Sequence, residues 1–304
     1  MAIPNTMATS GSDPNLNSVA TQEWETKLQE RLDYPITFKE VCKVVYTNTF
    51  AVNSPYMSTE FSAQTGTRGC SYGFSEFTVT NDQLIINTFK IVPVFIDRAD
   101  LAQTSMASQM EIAERQGALI NEALEAAVLG GFAGWTDFGT LSIGGGGAAT
   151  SAITVSINNI DNIIRGVKRE VAENNAQSLA DRNGLFIIWR AADLELLEEF
   201  AQANGFNLAD TALKNGIKSG YHFMGMDHYL SNSHTAAHLF GGVKKVMQLG
   251  ILSSTYGKVT VTQDPASGVS TYGPVSGIGV ISRVDYGINT PTGLKPAVFD
   301  INVA

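Results

Sequence analysis

Residues 90–132 read KIVPVFIDRADLAQTSMASQMEIAERQGALINEALEAAVLGGF, a short apolar strand that runs into one long helical pattern. The strand is Ile91–Ile96, closed by Asp97, Arg98 and Asp100. No proline occurs from Leu101 to Gly130. Within that run Met106, Met110, Ala113, Gly117, Ile120, Leu124, Ala127 and Val128 recur at three- and four-residue steps and share one face. Gly130-Gly131 supplies the stop. At 1.5 Å per residue the helix spans roughly 45 Å. Its apolar stripe is thin and built from small side chains, while Glu111, Glu114, Arg115, Glu122 and Glu125 fall on the other faces. The pattern predicts a beam, one side on a modest sheet and the rest toward water or neighbouring subunits. A long helix in a globular enzyme has the same periodicity.

The chain has 304 residues, 44% of them hydrophobic, enough for one large domain or two ordinary ones. Charged residues are only 16% and glycines number 29, a composition suited to surface that meets neighbours. Twenty Lys and Arg against 29 Asp and Glu give a net charge of −9. That balance lacks the basic footprint of a nucleic-acid binder. Arg165, Lys168 and Arg169 are interrupted by Glu170 and read as a solvated helix face. Cys42 and Cys70 form no framework, so two reduced thiols in a protein made in the cytoplasm are expected. The first residues lack a basic region followed by an apolar one, and no apolar run reaches membrane-spanning length.

Residues 1–20 are rich in Asn, Ser, Thr, Pro and Gly and are expected to be mobile unless a partner orders them. Trp24, Leu28 and Leu32 then make a short amphipathic helix that ends at Pro35. Val41–Phe50 and Leu84–Ile96 read as strands, the second bounded by an Asn81-Asp82 turn signal. Between them Tyr56, Phe61, Tyr72, Phe74 and Phe77 are spread through a long connection. Loops without partners are poor in aromatics, so this one reads as a two-stranded arm that packs on another subunit. Gly144–Gly147 is a linker. Ile160, Ile163, Ile164, Val167 and Val171 mark a second helix, and Asn183-Gly184 turns into the buried strand Leu185–Trp189. Asp193 opens a third helix carrying Leu194, Leu197 and Phe200, closed by Gly205. This alternation implies a mixed α/β unit. Strand signals return at Lys258–Thr262, Ile278–Tyr286 and Ala297–Val303.

All four histidines, His222, His228, His234 and His238, lie within seventeen residues. His234 and His238 have the spacing of a zinc-protease helix, but Thr235 stands where that chemistry needs a glutamate. No cysteine is near and Asp227 is the one local carboxylate, too few donors for a metal. No Gly-x-Ser-x-Gly elbow occurs, and Cys70 has no fixed base beside it. Glu195, Glu198 and Glu199 read as a solvated helix face. Gly144–Gly147 and Gly241-Gly242-Val-Lys-Lys lack the rest of a phosphate loop. The sequence therefore assigns no catalytic, cofactor-binding or metal-ligating residue. A histidine-site metalloenzyme is the least favoured of the alternatives.

The order of parts resembles a tailed-bacteriophage major capsid protein of the Hong Kong 97 type. The resemblance rests on Trp24-x3-Leu28-x3-Leu32, on Phe95-Ile-Asp97-Arg98 running into a helix with Glu111-x2-Glu114-Arg115, and on Asn183-Gly-Leu-Phe-Ile-Ile-Trp-Arg190. Gly225-Met-Asp-His-Tyr-Leu-Ser231-Asn232 and Tyr286-Gly287 before Pro291 complete it. It implies an α+β fold with a tail at 1–23, an N-arm and approach to the peripheral domain at 24–46, and an extended hairpin E-loop at 47–88. The peripheral domain follows at 89–150 with its spine helix at 101–130, then an α/β axial domain at 151–250. Returning peripheral strands at 251–290 and a C-terminal strand at 291–304 close the chain. Implied partners are copies of itself in hexamers and pentamers, a scaffolding protein, a portal and a decoration protein, around DNA bound without sequence preference. Such a shell assembles in the host cytoplasm and ends in the virion. Trp24, Tyr56, Phe61, Arg68, Tyr72, Phe74, Asp97, Arg98, Glu114 and Arg115 are the expected intersubunit contacts. The lysine–asparagine weld of some family members lacks its lysine here, because Lys43 and Lys90 sit on the stems of the loop and its distal half offers only Arg68. The same fold builds encapsulin compartments, the alternative reading.

Overall fold

The computed structural model describes residues 36–57, 79–97, 106–130, 136–137, 153–204, 221–233, 238–263 and 277–303, with isolated positions between 63 and 78. Two sheets and a separate two-stranded arm account for the strands described.

The first sheet is organised around β12 (Gly277–Asn289), thirteen residues long. β4 (Thr88–Asp97) runs antiparallel along one side of it, from Gly277↔Asp97 to Tyr286↔Thr88. The other side holds β11 (Val259–Gln263) and then β10 (Gln248–Leu252), with β1 (Lys43–Thr47) parallel to β10. Among the described residues β4 has a partner on one side only, and Pro93 stands in the middle of it. Proline has no N–H to give a ladder, which is why sheets keep it on their edges.

α2 (Met106–Gly130) lies across β12 and β4. Ile120, Leu124 and Val128, all of the expected stripe, are buried, and so is Leu129. Removing each such aliphatic chain from water contributes about 1.5–3 kcal/mol. Gly117, expected in the stripe, is exposed, and Gln116 takes the buried place. Its Nε2 donates to the carbonyls of Val92 (2.9 Å) and Val280 (3.0 Å), and Ser282 Oγ donates to its Oε1 at 2.8 Å. One amide thus fixes both the rotation and the axial position of the helix over two strands.

The second sheet has the order β5 (Thr136–Asp137), β13 (Val298–Asn302), β9 (His238–Val243), β6 (Leu185–Trp189), β8 (Met226–Leu230), β7 (Tyr221–Phe223). β6 is parallel to β8 and antiparallel to β9. On it pack α3 (Ile160–Glu173), which buries Ile160, Ile163, Ile164, Val167 and Val171 at helical spacing, and α5 (Ala191–Ala203), which buries Leu194, Leu197 and Ala201. α4 (Gln177–Asn183) joins α3 to β6. Residues of both sheets and of α2 belong to one continuous apolar core.

Several readings need correction. Glu125, placed on a watery face, is fully buried, because α2 has a second face turned to α1 (Phe38–Val41) and the second sheet. Leu84–Ile96 is two strands, β3 (Val79–Ile85) and β4, and Asn81-Asp82 lies inside β3 rather than at a turn. Val41–Phe50 contributes only β1 and the approach to β2 (Ala51–Met57). His238 begins a strand, not a helix.

Replacing Gln116 with Leu keeps the volume but takes the acceptor from the buried Ser282 hydroxyl. We expect a loss of about 1–3 kcal/mol, read as a lower urea midpoint at unchanged slope. An unchanged midpoint would remove Gln116 from this role.

Candidate assembly surface

β2 and β3 pair in register from Ala51↔Ile85 to Met57↔Val79 and form the base of the arm. Its root, Leu84 and Ile86, is buried. It reaches the face of the first sheet at Gly250 and Gly287, which are register partners in β10 and β12. A Cβ on Gly287 would stand 2.0 Å from the Ile85 carbonyl oxygen, and one on Gly250 2.9 Å from Leu84 Cδ2. The two glycines together make the notch that the arm crosses. Ile86 N–H closes the root onto Phe50 O at 2.8 Å. Asp82 holds the flank by accepting the Thr292 N–H at 2.5 Å, at the start of the 3-10 turn Thr292–Ala297.

Among the described residues of the arm, several large apolar side chains are exposed. Phe50 is 65% exposed and Phe74 93%, and Met57, Val79 and Ile85 are also open. A second open apolar strip lies on β4, where Phe89, Ile91 and Phe95 occupy alternate positions. Alternation puts them on the face opposite Val92, whose side chain packs against the core. The Arg283 guanidinium sits 4.7 Å from the Phe89 ring centroid and is itself paired with Asp285 at 2.6 Å. Contiguous exposed apolar side chains of this kind mark interaction surfaces.

Of the expected contact residues, Phe74 and Arg68 are exposed on the arm, and Tyr56 is half-buried beside its own chain's Gly293. Glu114 is exposed and Arg115 half-buried on α2, while Asp97 ends β4. Trp24, Phe61, Tyr72 and Arg98 lie outside the described residues, as do Cys70, His234 and Gly144–Gly147. Phe50, Met57, Val79, Phe89, Ile91 and Phe95 were missed by the sequence reading. Strict alternation in β4 was the available signal, but it does not say which face stays bare.

The polar clusters of the second sheet do not converge. His228 Nδ1 accepts the Trp189 Nε1–H at 2.8 Å, which leaves its Nε2–H to donate to Phe223 O at 3.0 Å. Burial holds this imidazole neutral, with its pKa lowered to about 4. His222 Nδ1 lies 2.7 Å from Asp227, and His238 Nδ1 lies 2.8 Å from Asp300. Burial would push Asp227 up, but hydrogen bonds from Lys244 and His222 hold it below the usual carboxylate range. Cys42 is buried with Met247 Sδ 3.5 Å away, and burial, then Glu125, push its thiol upward. Burial, then Glu195, raise Glu198. Among the described residues no three His, Cys, Asp or Glu side chains stand together as a metal site, and no helix is long and apolar enough to cross a membrane.

No family model matches the sequence, and neither does any curated protein. Solved structures do match the fold. The capsid of a native gene transfer agent particle aligns over 100% of both chains with a TM-score of 0.64 at 14% identity. A structure of Mycobacterium phage Che8 covers 92% of this chain and 95% of its own, with a TM-score of 0.62 and 14% identity. The capsid of cyanophage P-SCSP1u covers 100% of this chain and 99% of its own, with a TM-score of 0.56 and 12% identity. The fold is that of a tailed-phage major capsid protein, an α+β architecture shared with gene transfer agent capsids.

Two outcomes follow from the geometry. Gly287→Ala forces the arm root off the sheet and should cost about 1–3 kcal/mol, with faster proteolysis of residues 50–57. A variant as stable and as protected as the parent would contradict the notch. His228 binds its proton more weakly folded, near pH 4, than unfolded, near 6.5. Its contribution is therefore intact above pH 6.5, erodes as pH falls and levels off below 4, for a total of about 3 kcal/mol. Denaturant midpoints across that range should show the loss, and His228→Gln, which keeps an acceptor for Trp189, should flatten it.

Proposed function

We propose that this chain is a structural subunit of the Hong Kong 97 type, with many copies closing into an icosahedral shell around double-stranded DNA. The observation that carries this reading is the arm: rooted firmly in its own sheet, and apolar and bare beyond the root. Such surface is expensive to leave in water, and in a closed symmetric assembly one modest contact is repeated many times.

In this reading residues 1–23 are a tail, 24–46 the N-arm and 47–88 the E-loop. The peripheral domain takes 89–150 and 251–290, the axial domain 151–250, and 291–304 the terminal strand. Trp24, Tyr56, Phe61, Arg68, Tyr72 and Phe74 meet neighbours through the arms, and Asp97, Arg98, Glu114 and Arg115 along the spine helix. Exposed ion pairs contribute only about 0–1 kcal/mol each, so the apolar contacts dominate. Subunits form hexamers and pentamers, aided by a scaffolding protein, joined to a portal and reinforced by a decoration protein. They are assembled in the host cytoplasm and end as part of the virion. The role is structural rather than catalytic. With a net charge of −9 the wall repels packaged DNA instead of gripping it.

Electron microscopy of the expressed protein, with nucleic acid and protein extracted from any particle, tests the reading. Closed shells with DNA or with none are expected. A packaged enzyme cargo would point to an encapsulin, and only small compact species under every assembly condition would overturn the shell. The paired variant Phe50→Ser, Met57→Ser should keep the parent's circular dichroism and melting, since both side chains are exposed, yet lower particle yield severalfold. Loss of folding instead would contradict the arm's role.

A further inference from the structure

We propose that Glu125 is a joint: it fixes the turn Phe38–Val41 against α2 and ties that turn to the second sheet. The tie rests on the shell reading only for its purpose, which is to hold these layers at one angle in every copy.

Glu125 projects from α2 and is 0% exposed. Its Oε2 accepts the backbone N–H of Thr37 (3.1 Å) and of Phe38 (2.8 Å). Its Oε1 accepts Ser231 Oγ–H at 3.0 Å, and also the Thr37 hydroxyl. α1 is only four residues long and Thr37 supplies no side-chain cap of its own, so the leading amides of that turn depend on a carboxylate from another element. Phe38, Val41 and Cys42 plant the turn in the core. Ser231 directly follows β8, and its N–H donates to Trp189 O at 3.2 Å, so this hydroxyl is fixed to the centre of the second sheet. At the far end of α1, Lys245 Nζ donates to Lys39 O (2.8 Å) and Cys42 O (3.3 Å), and its N–H to Val41 O (2.7 Å). Lys245 lies between β9 of the second sheet and β10 of the first.

α1 is therefore clamped at both ends by groups anchored in different layers. A shift of the second sheet against α2 must pass through Ser231 and Glu125 to Thr37 and so to α1. Apolar packing alone would stabilise a core as well as a buried acid does, and would leave this angle free. The geometry also states what the joint needs. Two backbone donors require an acceptor at Oε2, whereas the hydroxyls at Oε1 can either donate or accept. Glutamine, with its carbonyl toward Thr37 and Phe38 and its amide toward the two hydroxyls, meets all four partners. Leucine meets none.

The test compares the parent chain with Glu125→Leu, Glu125→Gln and Ser231→Ala, reading amide exchange at Thr37 and Phe38 and particle diameter by electron microscopy. Glu125→Leu should speed exchange at these two amides by about tenfold or more and broaden the diameters, and Glu125→Gln should restore both. Ser231→Ala should leave the two amides slow yet broaden the diameters, because it cuts only the tie to the second sheet. Parent-like exchange in Glu125→Leu, failure of Glu125→Gln to restore it, or parent-like diameters in Ser231→Ala would each overturn the proposal. Should Glu125→Leu not fold, Ser231→Ala and Thr37→Val carry the same comparison. If the parent itself forms no particle, the shell reading fails, while exchange still decides whether Glu125 holds the turn.

Discussion

Leu84 and Ile86 reach the face of the first sheet only because Gly250 and Gly287 stand opposite each other in neighbouring strands. Any side chain at Gly287 would occupy the space of the Ile85 carbonyl, so the crossing depends on two missing Cβ atoms. Much else follows from that close approach. It buries the root and lets Asp82 reach Thr292, while Met57 and Val79 at the far end of the described hairpin stay exposed. A flexible attachment would let those groups fold back on the subunit; a rooted one does not.

α2 works as a beam because it is held by directional contacts as well as by apolar area. Hydrophobic packing is indifferent to a small rotation or slide of the helix. Gln116 is not, since its amide must meet two carbonyls and a hydroxyl at once. Farther along the same helix, Glu125 meets donors from α1 and from the end of β8. The thin, small-residue stripe suits this arrangement: it brings the backbone near enough to its neighbours for short polar side chains to reach.

Local signals in the sequence carried most of the elements. Leu185–Trp189 was legible because a continuous apolar run follows Asn183-Gly184, and α3 because five aliphatics fall at helical spacing. What escaped was the meaning of residues whose partners are far away in the chain. Glu125 looks like one more surface acid in its helical pattern, and only Thr37, 88 residues away, and Ser231, 106 away, give it a reason to be buried. Gly250 and Gly287 are two among 29 glycines until a crossing strand singles them out. The arm itself was visible from its length and its aromatics, and Phe74 was among the contacts expected. Phe89, Ile91 and Phe95 were not, because alternation marks two faces of a strand without saying which one the subunit leaves bare.

Pro93 bears on how this strand meets other chains. Among the described residues β4 leaves one long edge unpaired and flanked by apolar side chains, and such an edge is a template for further strands. A residue with no amide hydrogen at its midpoint denies an incoming strand a continuous ladder. The strand thus carries within itself an obstacle to edge-to-edge stacking.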